Sequence, residues 1–131
     1  MSLRETPNST KDEVVITFPD GFQLSPLFAD NEFEFKLGLS GQKEPISMLF
    51  LFENETLVPF WMKGMFFPID IIWLDNQTIV GFETDVQVEN PPMTIYRPPT
   101  PVDSVLEVPA GFVKAHNLGI GDQLDIDLGK E

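Results

Sequence analysis

The fold of this chain is set by residues 47–84, which read SMLFLFENETLVPFWMKGMFFPIDIIWLDNQTIVGFET. Met48–Phe52 is a continuous apolar run of strand length, which is typical of a strand covered on both faces. Ile69–Leu74 and Thr78–Thr84 are rich in β-branched and aromatic residues, and they flank the turn residues Asp75-Asn76-Gln77. That arrangement predicts a hairpin within a larger sheet.

Outward from this stretch, the chain keeps the signals of short strands and turns. Twelve Pro and nine Gly in 131 residues predict many turns and few long helices. The predicted fold class is mainly β (β-rich α+β), a compact barrel-like or mixed β-sheet domain with one or two short helices. Further strands are predicted at 14–18, 22–28, 57–62, 105–108 and 124–128, with a turn at 53–55 and short helices at about 31–38 and from Pro109 onward. We expect residues 1–13 to be a flexible arm, 14–128 a single globular domain and 129–131 a tail.

Acidic residues dominate the charged positions, with 21 Asp and Glu against eight Lys and Arg and a formal net charge of -13. That field repels phosphate backbones, so nucleic acid is not expected as a partner, and the charge is expected to serve solubility. The chain has no cysteine, which excludes disulfides and thiolate chemistry. No apolar run approaches the roughly 20 residues that cross a bilayer as a helix. We expect a monomer without a cofactor.

Short motifs follow one another in a characteristic order: Gly38-Leu39, Met48-Leu49-Phe50-Leu51-Phe52, Phe60-Trp61-Met62-Lys63, Pro68-Ile69-Asp70-Ile71, Val105-Leu106-Glu107-Val108-Pro109-Ala110-Gly111 and Leu118-Gly119-Ile120-Gly121-Asp122. The set resembles the uncharacterised domain of unknown function 192 family, over roughly residues 14–127. The family has no established activity, so the resemblance implies a β-rich fold and no particular reaction. Many members carry an export signal or lipid anchor. The resemblance therefore implies a secreted, periplasmic or membrane-anchored protein whose native leader is absent from this sequence.

The chain departs from the family pattern in three loops. The family typically continues its Trp-Met-Lys stretch with Asn-Thr, where this chain has Gly64-Met65. After Gly38-Leu39 the family usually has Met-Phe or Met-Gly and an arginine, where this chain has Ser40-Gly41-Gln42-Lys43. The loop Gly119–Asp122 is one residue shorter than usual. If the missing Asn and Arg help to build a family site, that site is altered here.

The densest cluster of aromatic residues surrounds Lys63. Strand alternation places Phe60 and Met62 on one face and Trp61 and Lys63 on the other. An indole beside an ammonium suits a ligand with a flat or sugar-like face and an anionic group. The alternative interpretation is an aromatic plug at one end of the sheet, with Lys63 reaching out to water.

Asp70 is predicted to lie on the same face as Ile72 and Leu74, where a carboxylate must find hydrogen-bond donors. A Lys63–Asp70 pair across adjacent strands would satisfy both groups. Such a pair could act in acid–base chemistry, or it could clamp the connection between the two strands.

The proline-rich stretch 89–101 contains Tyr96 and Arg97. If this loop folds back over Trp61 and Lys63, it adds a hydrogen-bonding rim and a second cation to one pocket. The alternative is an ordered loop that spans the domain, with Arg97 paired to a nearby carboxylate. Loops of this length are uncommon unless they are functional or disordered.

The remaining polar residues do not form a recognisable metal-binding or catalytic pattern. An oxygen-ligand cation site would need carboxylates that are scattered along the chain and lack the spacing of a calcium loop: Asp70, Glu83, Asp85, Glu89 and Glu107. We therefore predict no metal site. His116 is the only histidine and is expected on the polar side of a short helix. No serine lies in a nucleophile elbow, so no catalytic residue is assigned.

Three functions remain compatible with these residues. The first is a non-enzymatic extracytoplasmic binding or accessory module, with a small-ligand cleft near Trp61 and Lys63. The second is a hydrolase- or lyase-type enzyme that uses Lys63 and Asp70. The third is a protein-interaction domain with an exposed patch at residues 65–67.

Overall fold

The computed structural model describes residues 13–31 and 38–129, and strands account for most of the regular secondary structure within these ranges. Residues 32–37 of the helix predicted over 31–38, and most of the predicted arm, lie outside these ranges. The strands are β1 (Val15–Thr17), β2 (Gln23–Leu24), β3 (Leu27–Ala29), β4 (Met48–Thr56), β5 (Ile69–Asp75), β6 (Thr78–Val86), β7 (Val102–Pro109) and β8 (Asp125–Asp127). Within the described residues there is one helix, α1 (Phe112–Ala115).

The strands form two sheets. The larger has five strands in the order β3-β4-β7-β5-β6, and the smaller has three in the order β2-β1-β8. β3 runs parallel to β4, and the other strand pairs are antiparallel. The mainly-β prediction is thus confirmed in its mixed-sheet form, because the larger sheet ends at β3 and β6 and does not close into a barrel.

The larger sheet buries a different apolar cluster on each face. The front face carries Phe50, Trp73 and Val105. It is covered by the irregular segment 57–67, which contributes Met62, Met65 and Phe67. The back face carries Leu49, Ile72 and Leu106, and it packs against Ile16 of the smaller sheet and Val113 of α1. Successive side chains of a strand point to opposite faces, so neighbours in the sequence join separate clusters.

The predicted hairpin forms between β5 and β6, with Asp75 paired to Thr78. The two residues between them, Asn76 and Gln77, have φ of 51° and 64°. Positive φ at both central positions is the geometry of the tight turns that match the twist of paired strands. The turn is further held by the Asp103 carboxylate, which accepts a 3.0 Å hydrogen bond from the Asn76 amide.

The strand predicted over 57–62 does not form. Pro59 has no amide hydrogen to donate to a ladder, and within the described residues the segment makes only an isolated bridge, from Phe60 to Tyr96. The turn predicted at 53–55 is also wrong, because these polar residues are the exposed part of β4. A strand end that faces water needs no apolar side chains, so the polar run was misleading.

Pro109 ends β7 and does not begin the helix. α1 starts three residues later, after Gly111, whose φ of 95° lies in the left-handed region that glycine adopts without a Cβ penalty. The chain thereby turns from the middle of the sheet onto its back face.

Candidate functional site

A cavity of about 530 Å³ opens on the front face of the larger sheet. Its floor includes front-face side chains of β4 and β7, and its walls come from segments that are irregular in structure. The lining residues are Gly38, Leu39, Ser40, Phe50, Phe52, Val58, Pro59, Phe60, Trp61, Lys63, Met65, Ile95, Arg97 and Glu107. The cavity thus has a base formed by paired strands and a mouth formed by irregular segments.

Aromatic rings shape the inner wall. The Phe60 ring meets the Phe50 ring edge-on, with centroids 5.0 Å apart, and the Trp73 ring at 5.7 Å. Edge-to-face contacts of this kind are favourable beyond the area that they bury. Phe60 is therefore fixed by the sheet, and it anchors the segment that carries Trp61 and Lys63.

Trp61 and Lys63 lie at the mouth of the cavity. Trp61 is 51% exposed, and the Lys63 Nζ atom lies 5.3 Å from the centroid of its ring. That distance allows a cation–π contact, which holds the ammonium beside the indole. Met62 is buried and Phe60 half-buried, so the predicted separation of the two faces holds although the segment is not a strand.

The proline-rich stretch does fold back onto this segment. The amide of Phe60 donates to the Tyr96 carbonyl and the amide of Tyr96 to the Phe60 carbonyl, both at 2.8 Å. This bridge brings Ile95 and Arg97 into the cavity lining. Tyr96 packs instead against the front-face cluster and is not among the lining residues.

Asp70 lies elsewhere. Its side chain is 1% exposed and belongs to the back face, because β5 places Ile69 and Ile71 in the front-face cluster. Its two oxygens accept hydrogen bonds from the amides of Asp85, at 2.8 Å, and Val113, at 2.9 Å. The expected Lys63–Asp70 pair is absent from the described part of the chain, and the carboxylate instead ties β6 and α1 to the sheet.

From the sequence, Glu107 was considered only as one of the scattered carboxylates of a cation site and was not placed in the cavity. It lies on β7, the middle strand of the sheet, paired with Met48 on one side and Ile71 on the other. The side chain is 4% exposed and lines the cavity. Burial raises the pKa of Glu107 to about 8, so the carboxyl group is mostly protonated at neutral pH. The available signal was a carboxylate within the apolar run Val105-Leu106-Glu107-Val108, a position where charged residues rarely stand.

The remaining candidates are dispersed. Over residues 13–31 and 38–129, no group of three or more His, Cys, Asp or Glu side chains is placed to hold a metal ion. His116 is less exposed than expected, because its ring packs on Phe22 and Phe112 and its Nδ1 atom lies 2.7 Å from the Asp20 carboxylate.

The patch proposed for protein interaction is not continuous. Met65 and Phe67 are buried in the front-face cluster. Phe66 is 59% exposed and lies below the Lys43 ammonium, whose Nζ atom is 5.8 Å from the ring centroid. A single exposed ring is ordinary for a protein surface.

Comparison with known proteins identifies the family of the chain. The model of the DUF192 family, described as "Uncharacterized ACR", matches residues 17–126. The chain belongs to the DUF192 family. The match spans parts of both sheets and all of the described cavity lining, so the DUF192 domain accounts for nearly the whole described fold. The family resemblance drawn from the short motifs is confirmed.

Relatives of this DUF192 protein are found both by sequence and by structure. A UPF0127 protein of Pyrococcus furiosus is 31% identical over 100 residues, which cover 75% of this chain and 83% of the relative. A crystal structure of a protein of unknown function from Novosphingobium aromaticivorans superposes with a TM-score of 0.76 at 21% identity, covering 88% of this chain and 84% of the other. A structure from Sinorhizobium meliloti, named as a candidate transcription regulator, gives 0.78 at 26% identity, with 89% and 94% coverage.

The described part of this DUF192 protein contains no helix that is both long and apolar enough to span a membrane.

Proposed function

We propose that this DUF192 domain is a non-enzymatic binding module for a small anionic ligand with a flat apolar or sugar-like body. The observation that carries the proposal is that Arg97, which lies far from Trp61 and Lys63 in the sequence, lines one cavity with them. A volume of about 530 Å³ lies within the range of small-molecule sites.

The chemistry of the lining supports an anionic ligand. The two cations at the mouth stand out in a chain with a net charge of -13. The indole of Trp61 offers a face for stacking, and the rings of Phe50, Phe52 and Phe60 offer an apolar interior. A flat body with one carboxylate or phosphate would satisfy both parts of the site.

Acid–base catalysis by Lys63 and Asp70 has less support. The two groups belong to opposite faces of the larger sheet, and the Asp70 oxygens are occupied by backbone amides. A hydrolase or lyase built on this pair would need both groups at one substrate. The name of the Sinorhizobium relative suggests DNA as a partner, which the acidic charge of this chain opposes.

The proposal includes a location outside the cytoplasm, which is supported by the export signals of many family members. Fractionation of the source cells, with detection of the native protein, tests the location separately from ligand binding. Recovery in the cytoplasmic fraction would refute it.

Calorimetry and thermal shift against aromatic carboxylates, sugar acids and sugar phosphates test the binding function. A ligand that stabilises the native chain should bind about fivefold more weakly to Trp61→Ala, since a stacked ring contributes about 1 kcal/mol. Phe66→Ala is the matched control, because Phe66 is exposed nearby but does not line the cavity.

Charge dependence is tested in the same way. Lys63→Met and Arg97→Met should weaken an anionic ligand, whereas Lys114→Met should leave it unchanged, because Lys114 lies on α1 away from the cavity. Absence of binding by every compound class, or equal binding by Trp61→Ala, would refute the proposed site.

A further inference from the structure

Glu107 is the most buried polar side chain among the described residues that line the cavity. Its strand is covered on both sides by neighbours, and its side chain points to the front face, as Val105 does two residues earlier. The small exposed part of Glu107 opens into the cavity. Lys63 and Arg97 are exposed at the mouth of the cavity, whereas Glu107 is buried. The cavity therefore has polar groups at two depths, and aromatic rings form much of the rest of its lining.

Glu107 also lacks a protein partner in the described part of the chain. Desolvation accounts for its raised pKa without a hydrogen bond or a neighbouring charge. Buried polar groups are almost always hydrogen-bonded, and those that are not call for an explanation. Asp70, equally buried in the same sheet, has an amide donor for each oxygen.

We infer that Glu107 is a specificity-determining binding residue: its carboxyl group hydrogen-bonds a hydroxyl or amide at the buried end of an anionic ligand whose charge pairs with Lys63 and Arg97 at the mouth. This inference rests on the proposed function, because it needs the cavity to hold a ligand. It adds the requirement that the ligand carry a neutral hydrogen-bonding group opposite its charge.

The neutral character of that group follows from the surroundings of Glu107. Apart from Glu107, the charged side chains among the described residues that line the cavity are Lys63 and Arg97, and both are exposed. The adjoining positions on β4 and β5 are Met48 and Ile71, which carry no charge. A protonated carboxyl can donate through its hydroxyl and accept through its carbonyl, which matches a hydroxyl or an amide.

Three probes that share a phenylpropanoate body test this inference: phenylpropanoate, para-hydroxyphenylpropanoate and para-aminomethylphenylpropanoate. All carry the anionic group and the flat body, and they differ at the far end. Calorimetry near pH 6.5, where Glu107 is protonated, should show the hydroxyl probe binding about threefold to tenfold more tightly than the unsubstituted one, the range of one net hydrogen bond.

Two variants separate hydrogen bonding from shape. Glu107→Gln keeps a donor and an acceptor and should keep the preference for the hydroxyl probe. Glu107→Met removes both at similar volume and should abolish the preference, while it still binds phenylpropanoate. Melting curves confirm that each variant is folded.

The failures are distinguishable. If phenylpropanoate and the hydroxyl probe bind the native chain equally, or if Glu107→Met keeps the preference, the role of Glu107 is refuted and the binding module stands. If the aminomethyl probe binds most tightly and Glu107→Gln loses it, Glu107 acts as an anion and the inference is also refuted. If no probe binds the native chain, the inference and its anionic ligand class fail together.

Discussion

Asp70 and Glu107 are buried carboxyl groups on neighbouring strands of one sheet, and they face opposite ways. On the back face, Asp70 accepts two backbone hydrogen bonds and joins β6 and α1 to β5. On the front face, Glu107 looks into a cavity and has no protein partner among the described residues. A carboxylate whose two oxygens both accept hydrogen bonds is a structural tie, whereas a carboxyl group that faces a cavity without a protein partner is available to a ligand.

The pH dependence of stability gives the largest expected difference between the two groups. Folding raises the pKa of Glu107 from 4.5 to about 8, so in this interval the folded protein holds a proton that the unfolded chain has lost. Stability contributed by the protonated group is complete below the unfolded pKa and is lost as the pH rises through the folded pKa. We expect a loss of roughly 3–4 kcal/mol between pH 5 and 8 that is absent from Glu107→Gln. Urea unfolding at several pH values measures it, and parallel curves for the two proteins would contradict it.

Removal of the Asp70 carboxylate should cost nearly as much, at any neutral pH. Asp70→Ala leaves the amides of Asp85 and Val113 without their acceptor and should destabilise the fold by about 3 kcal/mol. Glu107→Met, which removes a buried carboxyl that has no protein hydrogen bond to lose, is the matched comparison and should leave stability unchanged or raise it at pH 7. An unchanged unfolding midpoint for Asp70→Ala would mean that the back-face tie contributes nothing.

A substitution at Gly64, which lies against Ser40 in the wall of the front face, is expected to have an intermediate effect on the stability of the fold. Gly64 has φ of 75°, and a Cβ at this position would collide with the Ser40 hydroxyl. Gly64→Ala should therefore cost about 2 kcal/mol, from left-handed strain and crowding together. The same change in a Ser40→Ala background should cost less. If the two costs are equal, crowding by the Ser40 hydroxyl does not constrain the wall.

The smallest effect is expected at the back-face surface, where Asp20 and His116 join the β1–β2 turn to the end of α1. The hydrogen bond from His116 lowers the pKa of Asp20, followed by the bond from the Phe22 amide. Stability from a lowered carboxylate pKa is present above its unfolded value and is lost as the pH falls through the folded value. Asp20→Asn should lower the melting temperature slightly near pH 6 and not near pH 2. An equal shift at both pH values would assign the effect to packing.

The sequence predicted the parts of the fold that depend on local patterns. The β5–β6 hairpin is one, because two short runs and a turn fix it without help from the rest of the chain. The segment 57–62 failed because pairing needs a free neighbour in register, which no local pattern specifies, and Pro59 removes a donor as well.

The site was predicted in part for the same reason. Alternation placed Trp61 and Lys63 together, and the proline-rich stretch brought Arg97 to them as one of two open alternatives. Alternation also gave the face of Asp70 correctly, but it could not relate that face to Lys63 across the irregular connection 64–68. The lack of a protein partner for Glu107 could not be predicted from local patterns, because it depends on which side chains three separate segments bring to the cavity.

The Phe60–Tyr96 bridge offers a way to measure the opening of the cavity. Two hydrogen bonds of 2.8 Å join the walls of the mouth, and the contact stands outside the named strands. The walls can therefore separate while the five-stranded sheet stays intact, since sheet pairing does not run through this contact. Solvent exchange of those two amide protons, compared with those of β7, reads the opening of the cavity directly. Slower exchange of those two amides when a compound is added would report occupancy of the cavity without knowledge of the natural ligand.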